Sequence, residues 1–317
     1  MKETANPELS PLLPASLQPG DTIGLFCPAG PVRDIDRIEA GISVLRDMGF
    51  RIRVLDGFNR RSDSSIYLAA PDATRVEQLH DLWDDEEVKA LMAVRGGYGC
   101  LRMLGQVDFH RFRENPKWLI GFSDLTVLLA SAFIKAGLIG LHGPVVSSLA
   151  GTDTPSKKRF FSLLTGSFQP YSLENSVTVL RPGTCRGRIV AGNLTTLCHL
   201  IGTPWEPVLI DAVLLLEDTG ESMYRIDRML TQLAWAGRLD NLAGLILGTF
   251  DAGDRTGRHN LLQAPLFERV RELTTHTSYP IWGNFPCGHL SENQAIPYGM
   301  EATMANRTIQ LTLHPDT

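Results

Sequence analysis

The stretch from Lys117 to Leu141, KWLIGFSDLTVLLASAFIKAGLIGL, decides the fold. Lys117-Trp118-Leu119-Ile120-Gly121 is an apolar run of strand length. Ser123 and Asp124 then mark a junction, and an apolar helix follows from about Leu125 to Lys135, closed by Gly137. Leu138-Ile139-Gly140-Leu141 is a second strand. A strand, a covering helix and a strand joined this closely form a parallel unit buried on both faces.

The same alternation extends towards the N-terminus. Thr22-Ile23-Gly24-Leu25-Phe26-Cys27 reads as a buried strand stopped by Pro28-Ala29-Gly30-Pro31. A helix follows, with Ile35, Ile38, Ile42 and Leu45 on one face and Gly49 at its end. Arg51 to Leu55 alternates as a strand, a helix covers about Thr74 to Trp83, and Ala90 to Val94 is a further buried strand. This order predicts a doubly wound parallel sheet over residues 21–150, with ligands at the carboxyl ends of its strands. Pro-Ala-Gly-Pro stands where a dinucleotide fold needs G-x-G-x-x-G, so that reading fails. Residues 1–20, with four prolines, read as a surface lead-in, and 151–183 as a linker. Residues 184–317 read as a smaller α/β domain. Its strands fall at Gly187–Val190, Val213–Leu216, Ala243–Leu247 and Thr308–Leu313, with a helix over Ser222–Leu233.

Composition narrows the function. With 317 residues, the chain exceeds what one hydrophobic core usually holds. A formal net charge of −5 argues against a nucleic-acid binder. No basic-then-apolar leader opens the chain, and no apolar run suits a bilayer, so a cytoplasmic protein without a membrane partner is expected. The five cysteines are scattered and odd in number, as suits reduced thiols. Cys287 and His289 have no second cluster with which to hold a metal.

Three segments place reactive groups where apolar runs end: Ser123 in Gly121-Phe122-Ser123-Asp124, Glu217 after Leu214-Leu215-Leu216, and His289 after Cys287-Gly288. Hydroxyl, carboxylate and imidazole are the parts of a serine-hydrolase triad. A serine at a strand–helix junction commonly just caps the helix, and on position alone that is the expected use. Exposure on a sharp turn favours the nucleophile instead, with the Asp124 N–H directed to the same space. Asp218 and Glu221 compete with Glu217, and His142 competes with His289. Cys27 and Cys100 are weaker nucleophile candidates, because buried thiols are usually inert. Arg95-Gly96-Gly97-Tyr98-Gly99 is either an ordinary glycine turn or a place for close backbone approach to substrate.

These segments, with His142-Gly143-Pro144, Gly192-Asn193-Leu194, Gly202-Thr203-Pro204-Trp205 and Tyr224-Arg225-Ile226-Asp227-Arg228, resemble the LD-carboxypeptidases, the muramoyltetrapeptide carboxypeptidases, over about residues 20 to 313. The resemblance implies an N-terminal domain similar to class I glutamine amidotransferases, a β-rich C-terminal domain and a site between them. It implies removal of the terminal D-alanine from murein tetrapeptides in cell-wall recycling, commonly by a homodimer. Its Ser–Glu–His triad falls on Ser123, Glu217 and His289, with oxyanion donors at the N–H groups of Gly97 and Asp124. No metal or cofactor is expected. Arg95, Tyr98, Asn193 and Arg225 are the expected substrate contacts, with Arg228 as another candidate for the terminal carboxylate. The microcin C immunity proteins, which hydrolyse aminoacyl-nucleotide analogues, are the nearest alternative, and the short 203–211 region argues against them. A catalytically silent binder of murein peptides on the same fold is the third reading.

Overall fold

The computed structural model describes residues 9–55, 67–174, 176–253 and 259–312. The first sheet takes five parallel strands from the N-terminal half: β1 (Thr22–Phe26), β2 (Arg51–Val54), β3 (Val88–Ala93), β4 (Trp118–Gly121) and β5 (Gly140–His142). Their order is β2-β1-β3-β4-β5. Alternate strand residues enter two separate cores. Phe26, Leu91, Ala93 and Leu119 pack with Leu79 and Trp83 of helix Asp72–Asp84 and with Leu128 of helix Thr126–Ala136. Leu25, Ala90, Met92 and Ile120 pack with Ile38 and Leu45 of helix Ile35–Asp47. β1, β3, β4 and β5 are therefore buried on both faces, which explains why they read as apolar runs, while edge strand β2 is mostly exposed and alternates.

The second sheet contains β6 (Tyr171–Ser172), β7 (Thr178–Arg181), β8 (Cys185–Asn193), β9 (Ala212–Thr219), β10 (Gly244–Asp251) and β11 (Ile281–Gly283). After β12 (Ile296–Tyr298), β13 (Glu301–Ala305) and β14 (Thr308–Thr312) complete it in the order β6-β14-β13-β8-β9-β10-β11-β7. β8 to β11 run parallel, and the flanking strands are antiparallel. The architecture is thus a doubly wound N-terminal sheet joined to a β-rich C-terminal domain, as expected.

Several segments differ from their sequence reading. β12 lies late in the chain but joins the first sheet, antiparallel to β5. The segment 151–183 contains helix Thr154–Leu164, capped by the Asp153 side chain on the Ser156 N–H, together with β6 and β7. The described part of the lead-in is packed rather than loose. Leu17 is buried, the Leu12 N–H donates to the Gly137 carbonyl at 2.8 Å, and Trp118 Nε1 donates to the Ala15 carbonyl at 3.0 Å. Its prolines mask apolar anchors that the core uses. Leu313, expected in the last strand, lies outside the described residues.

Candidate active site

The carboxyl ends of β4 and β8 meet at one seam. Gly192, near the end of β8, packs so closely on Thr126 that a Cβ there would lie 2.3 Å from Thr126 Cγ2. Thr126 Oγ1 accepts the Asn193 N–H at 3.0 Å, and Thr196 Oγ1 donates to the Ser123 carbonyl at 3.4 Å. The start of the helix after Ser123 is therefore fastened to the end of β8, whose neighbour β9 carries Glu217.

Ser123 occupies neither N-cap position. It is the first residue of a short 3-10 turn, Ser123–Leu125, whose N-cap is Phe122, the following helix is capped at Leu125, and the φ of Ser123 is +64°. For a residue with a Cβ this left-handed conformation costs on the order of 1–2 kcal/mol. The surroundings hold it in place. Gly96 lies against it, and a Cβ on Gly96 would fall 2.8 Å from Ser123 Oγ. The glycine turn is thus a close approach to the serine. Gly97 has φ +124° and lies beside Gly30, whose N–H donates to the Gly96 carbonyl at 3.3 Å. The backbone nitrogen of Asp124 is 3.7 Å from the same Cβ position on Gly96, so Gly96-Gly97 and Asp124 flank the hydroxyl. The Asp124 carboxyl points away from the site, accepting the Cys100 N–H at 2.8 Å, and burial raises its pKa.

Glu217 is fully buried in β9, and its Oε2 meets His289 Nδ1 at 2.8 Å. His289 is reached through Gly288, whose φ is +139° and whose missing Cβ would lie 3.4 Å from Glu217 Oε2. The imidazole retains 23% side-chain exposure and packs 4.5 Å, centroid to centroid, from Phe122, the residue before Ser123. Its loop is tied down at several points. Asn293 Oδ1 accepts the Gly288 N–H at 3.3 Å, the Asn293 N–H donates to Ser156 Oγ at 3.2 Å, and the Asp153 N–H donates to the Ser291 carbonyl at 2.9 Å.

Burial and charge oppose each other in this pair, and charge prevails. Burial alone would lower the His289 pKa, but the Glu217 carboxylate raises it above the ordinary imidazole value. Burial would raise Glu217, and His289 brings it below the ordinary carboxylate value. The pair is an imidazole whose Nδ1 is oriented and charge-compensated.

The rivals have other roles. Asp218 accepts from Asn193 Nδ2, from the Thr195 N–H and hydroxyl, and from the Thr219 N–H; burial and Glu217 push it up to about 6. Burial pushes the Cys27 thiol up to about 12 and Cys100 well above its ordinary value, so neither offers a thiolate. His142 is wholly buried, and burial lowers it to about 4.

The expected substrate contacts divide. Arg95 lies beside Gly30 and Gly97, its Nη1 donating to the Pro31 carbonyl at 2.8 Å. Tyr98 follows Gly97 and is half exposed, its ring 5.9 Å from that of Tyr67. Both lie on the serine side. Asn193 is buried, with Oδ1 accepting the Thr196 N–H at 3.1 Å and Nδ2 donating to Asp218 at 3.1 Å. Its side chain supports the end of β8. Arg225 is exposed at the start of helix Met223–Trp235, engaged by Glu221 at 3.2 Å and by the Tyr224 hydroxyl, while Arg228 sits over the Tyr224 ring. Phe122 and Asn293 escaped the sequence reading as separate candidates, and Gly96 figured there only within the Arg95–Gly99 turn.

Sequence models of the LD-carboxypeptidase N-terminal and C-terminal domains match residues 23–143 and 186–304. The murein tetrapeptide carboxypeptidase of Pseudomonas aeruginosa is 33% identical over 77% of this chain and 81% of its own. The microcin C7 self-immunity protein of Escherichia coli is 27% identical over 95% of this chain and 96% of its own. A solved structure of that immunity protein with glutamyl sulfamoyl guanosine superposes with a TM-score of 0.86 at 25% identity, covering 96% of this chain and 99% of that one. The crystal structure of a muramoyltetrapeptide carboxypeptidase from Oxalobacter formigenes gives 0.77 at 26% identity, covering 93% and 99%.

Proposed function

Because this chain belongs to the LD-carboxypeptidase family, we propose that it is a serine carboxypeptidase that removes the terminal D-alanine of murein tetrapeptides. The observation that carries this reading is the 2.8 Å contact between Glu217 and His289, beside a serine held at positive φ. His289 takes the hydroxyl proton as Ser123 Oγ attacks the carbonyl before D-alanine. Glu217 fixes the imidazole tautomer and balances the imidazolium. The N–H groups of Gly97 and Asp124 receive the developing oxyanion; one such donor is worth about 10²–10³ in turnover. The proton then passes to the leaving D-alanine nitrogen, and water resolves the acyl-enzyme. Arg95 is the guanidinium best placed to meet the substrate carboxylate, since it flanks the same glycine turn.

The reading extends to a cytoplasmic homodimer acting in peptidoglycan recycling. Five free cysteines support a reducing compartment. Among the described residues no helix is long and apolar enough to cross a membrane.

A second reading, hydrolysis of aminoacyl-nucleotide analogues, is favoured by the TM-score of 0.86 to the immunity protein. Competition kinetics with murein tetrapeptide and aspartyl sulfamoyl adenosine separates the two. Preferential release of D-alanine is expected; cleavage of the adenosine compound alone would transfer the assignment.

A further inference from the structure

Arg75, on helix Asp72–Asp84, has a wholly buried side chain. Its Nη1 donates to the Pro28 carbonyl and, at 3.0 Å, to the Gly99 carbonyl. Nε donates to the Ala70 carbonyl at 3.1 Å, and Nη2 pairs with Asp72. The carbonyls come from separate segments: the turn after β1, the approach to the helix, and the glycine turn after β3. Burying a guanidinium is costly, and Asp72 alone would balance its charge. The carbonyls need more than charge; a planar fork of N–H donors serves them together, and an ammonium does not.

Two of these carbonyls bracket the glycine turn. Pro28 leads to Gly30, whose N–H donates to the Gly96 carbonyl at 3.3 Å and whose nitrogen lies 3.1 Å from where a Gly97 Cβ would stand. Gly99 has φ +139°, and a Cβ on it would lie 2.8 Å from Arg75 Nη1, so the glycine admits the guanidinium. The next N–H, that of Cys100, donates to Asp124 Oδ2 at 2.8 Å. The Gly99–Cys100 peptide is therefore held at its carbonyl by Arg75 and at its N–H by Asp124.

We propose that Arg75 and the Asp124 carboxylate are positioning groups that keep the two oxyanion donors in register, by gripping from both ends the peptide that links the glycine turn to the Ser123-Asp124 turn. This rests on the triad reading above. The proposed donors are the N–H groups of Gly97, in the same glycine turn, and of Asp124 itself. Such donors stabilise a transition state because they are in place before the charge develops. Arg75 acts through the backbone rather than on the substrate, by keeping the Pro28–Gly30 and Gly96–Gly99 turns together.

The test compares wild type with Arg75→Lys, Arg75→Ala, Asp124→Ala and Asp124→Asn, with a thermal melt on each. A fluorophosphonate reads the donors without a peptide substrate, since its phosphoryl oxygen takes the oxyanion position as Ser123 is labelled. D-Alanine release from murein tetrapeptide gives kcat and KM. In folded Arg75→Lys the labelling rate and kcat should both fall about 30-fold, with KM within about twofold of wild type. Guanidinium ion, below the concentrations that unfold the protein, should return part of the rate to Arg75→Ala, and ammonium ion none. Asp124→Ala should show the same kcat loss at constant KM, and Asp124→Asn, which keeps an acceptor for the Cys100 N–H, should recover most of it. Wild-type labelling by a folded Arg75→Lys, or a loss confined to KM, overturns the proposal. If neither Arg75 variant folds, the Asp124 pair decides by the same criteria. A wild type that the probe leaves unlabelled at Ser123 would instead overturn the triad.

Discussion

Gly96→Ala is the sharpest perturbation that the geometry offers. An added Cβ would lie 2.8 Å from Ser123 Oγ and 2.9 Å from Ser123 Cβ. The shorter distance is about 0.6 Å inside the separation at which ordinary van der Waals contact begins. Gly96 cannot retreat freely, since its carbonyl accepts the Gly30 N–H and its neighbour Gly97 is packed on Gly30. Ser123 must therefore move, and it already sits in a strained conformation. Catalytic groups tolerate about 0.5 Å of displacement, and about 1 Å costs on the order of 10²-fold. A fall of about 30- to 100-fold in kcat is expected, with the overpacking costing about 1–3 kcal/mol of stability. The assay is D-alanine release from murein tetrapeptide, alongside a thermal melt. Gly105→Ala is the control, because a Cβ there meets nothing within 4 Å and should leave kcat unchanged. A folded Gly96→Ala enzyme within about twofold of wild type would refute the placement of the glycine turn against Ser123 as the proposed nucleophile.

Other outcomes follow from the same geometry. Ser123→Gly should abolish turnover yet melt higher than Ser123→Ala, because glycine relieves a strain of about 1 kcal/mol; equal melting temperatures would deny that strain. With His289 as the proposed base, kcat/KM should rise with pH on the acid side through a midpoint above 6.5, because its pKa is raised; Glu217→Gln should lower that midpoint. The pair's stabilisation should vanish as pH falls through the depressed Glu217 pKa and as it rises through the raised His289 pKa; melts of wild type against Glu217→Gln across about pH 3–9 show whether it does. Iodoacetamide at neutral pH should leave activity intact, because burial keeps Cys27 and Cys100 as thiols; rapid inactivation would restore a cysteine nucleophile.

The first sheet was legible because burial of its inner strands on both faces writes continuous apolar runs, and its helices carry end signals such as Gly137. β12 was not. Three residues including Pro297 give no period, and only its partner β5 makes them a strand. β6 has only two residues and β7 four, although Asp153 followed by Pro155 is a start signal that foretells helix Thr154–Leu164. Ser123, Glu217 and His289 could be picked out because each ends an apolar run or sits in a constrained loop. The seam that sets the Glu217–His289 pair near the Phe122-Ser123 junction depends on how β8 seats on Thr126, which local sequence does not encode. The positive φ of Ser123 was hidden as well, since strand–turn–helix patterning is equally compatible with a capping serine. Asn193 stood out in its motif as a substrate contact, but its hydrogen bonds commit it to Asp218 and Thr196.

The most direct test is mass spectrometry of the murein tetrapeptide L-Ala-γ-D-Glu-meso-diaminopimelate-D-Ala after incubation with the enzyme, with Ser123→Ala in parallel. The account predicts loss of one D-alanine with the wild type and an unchanged peptide with the variant. An untouched peptide with the wild type, or equal cleavage by Ser123→Ala, would contradict it.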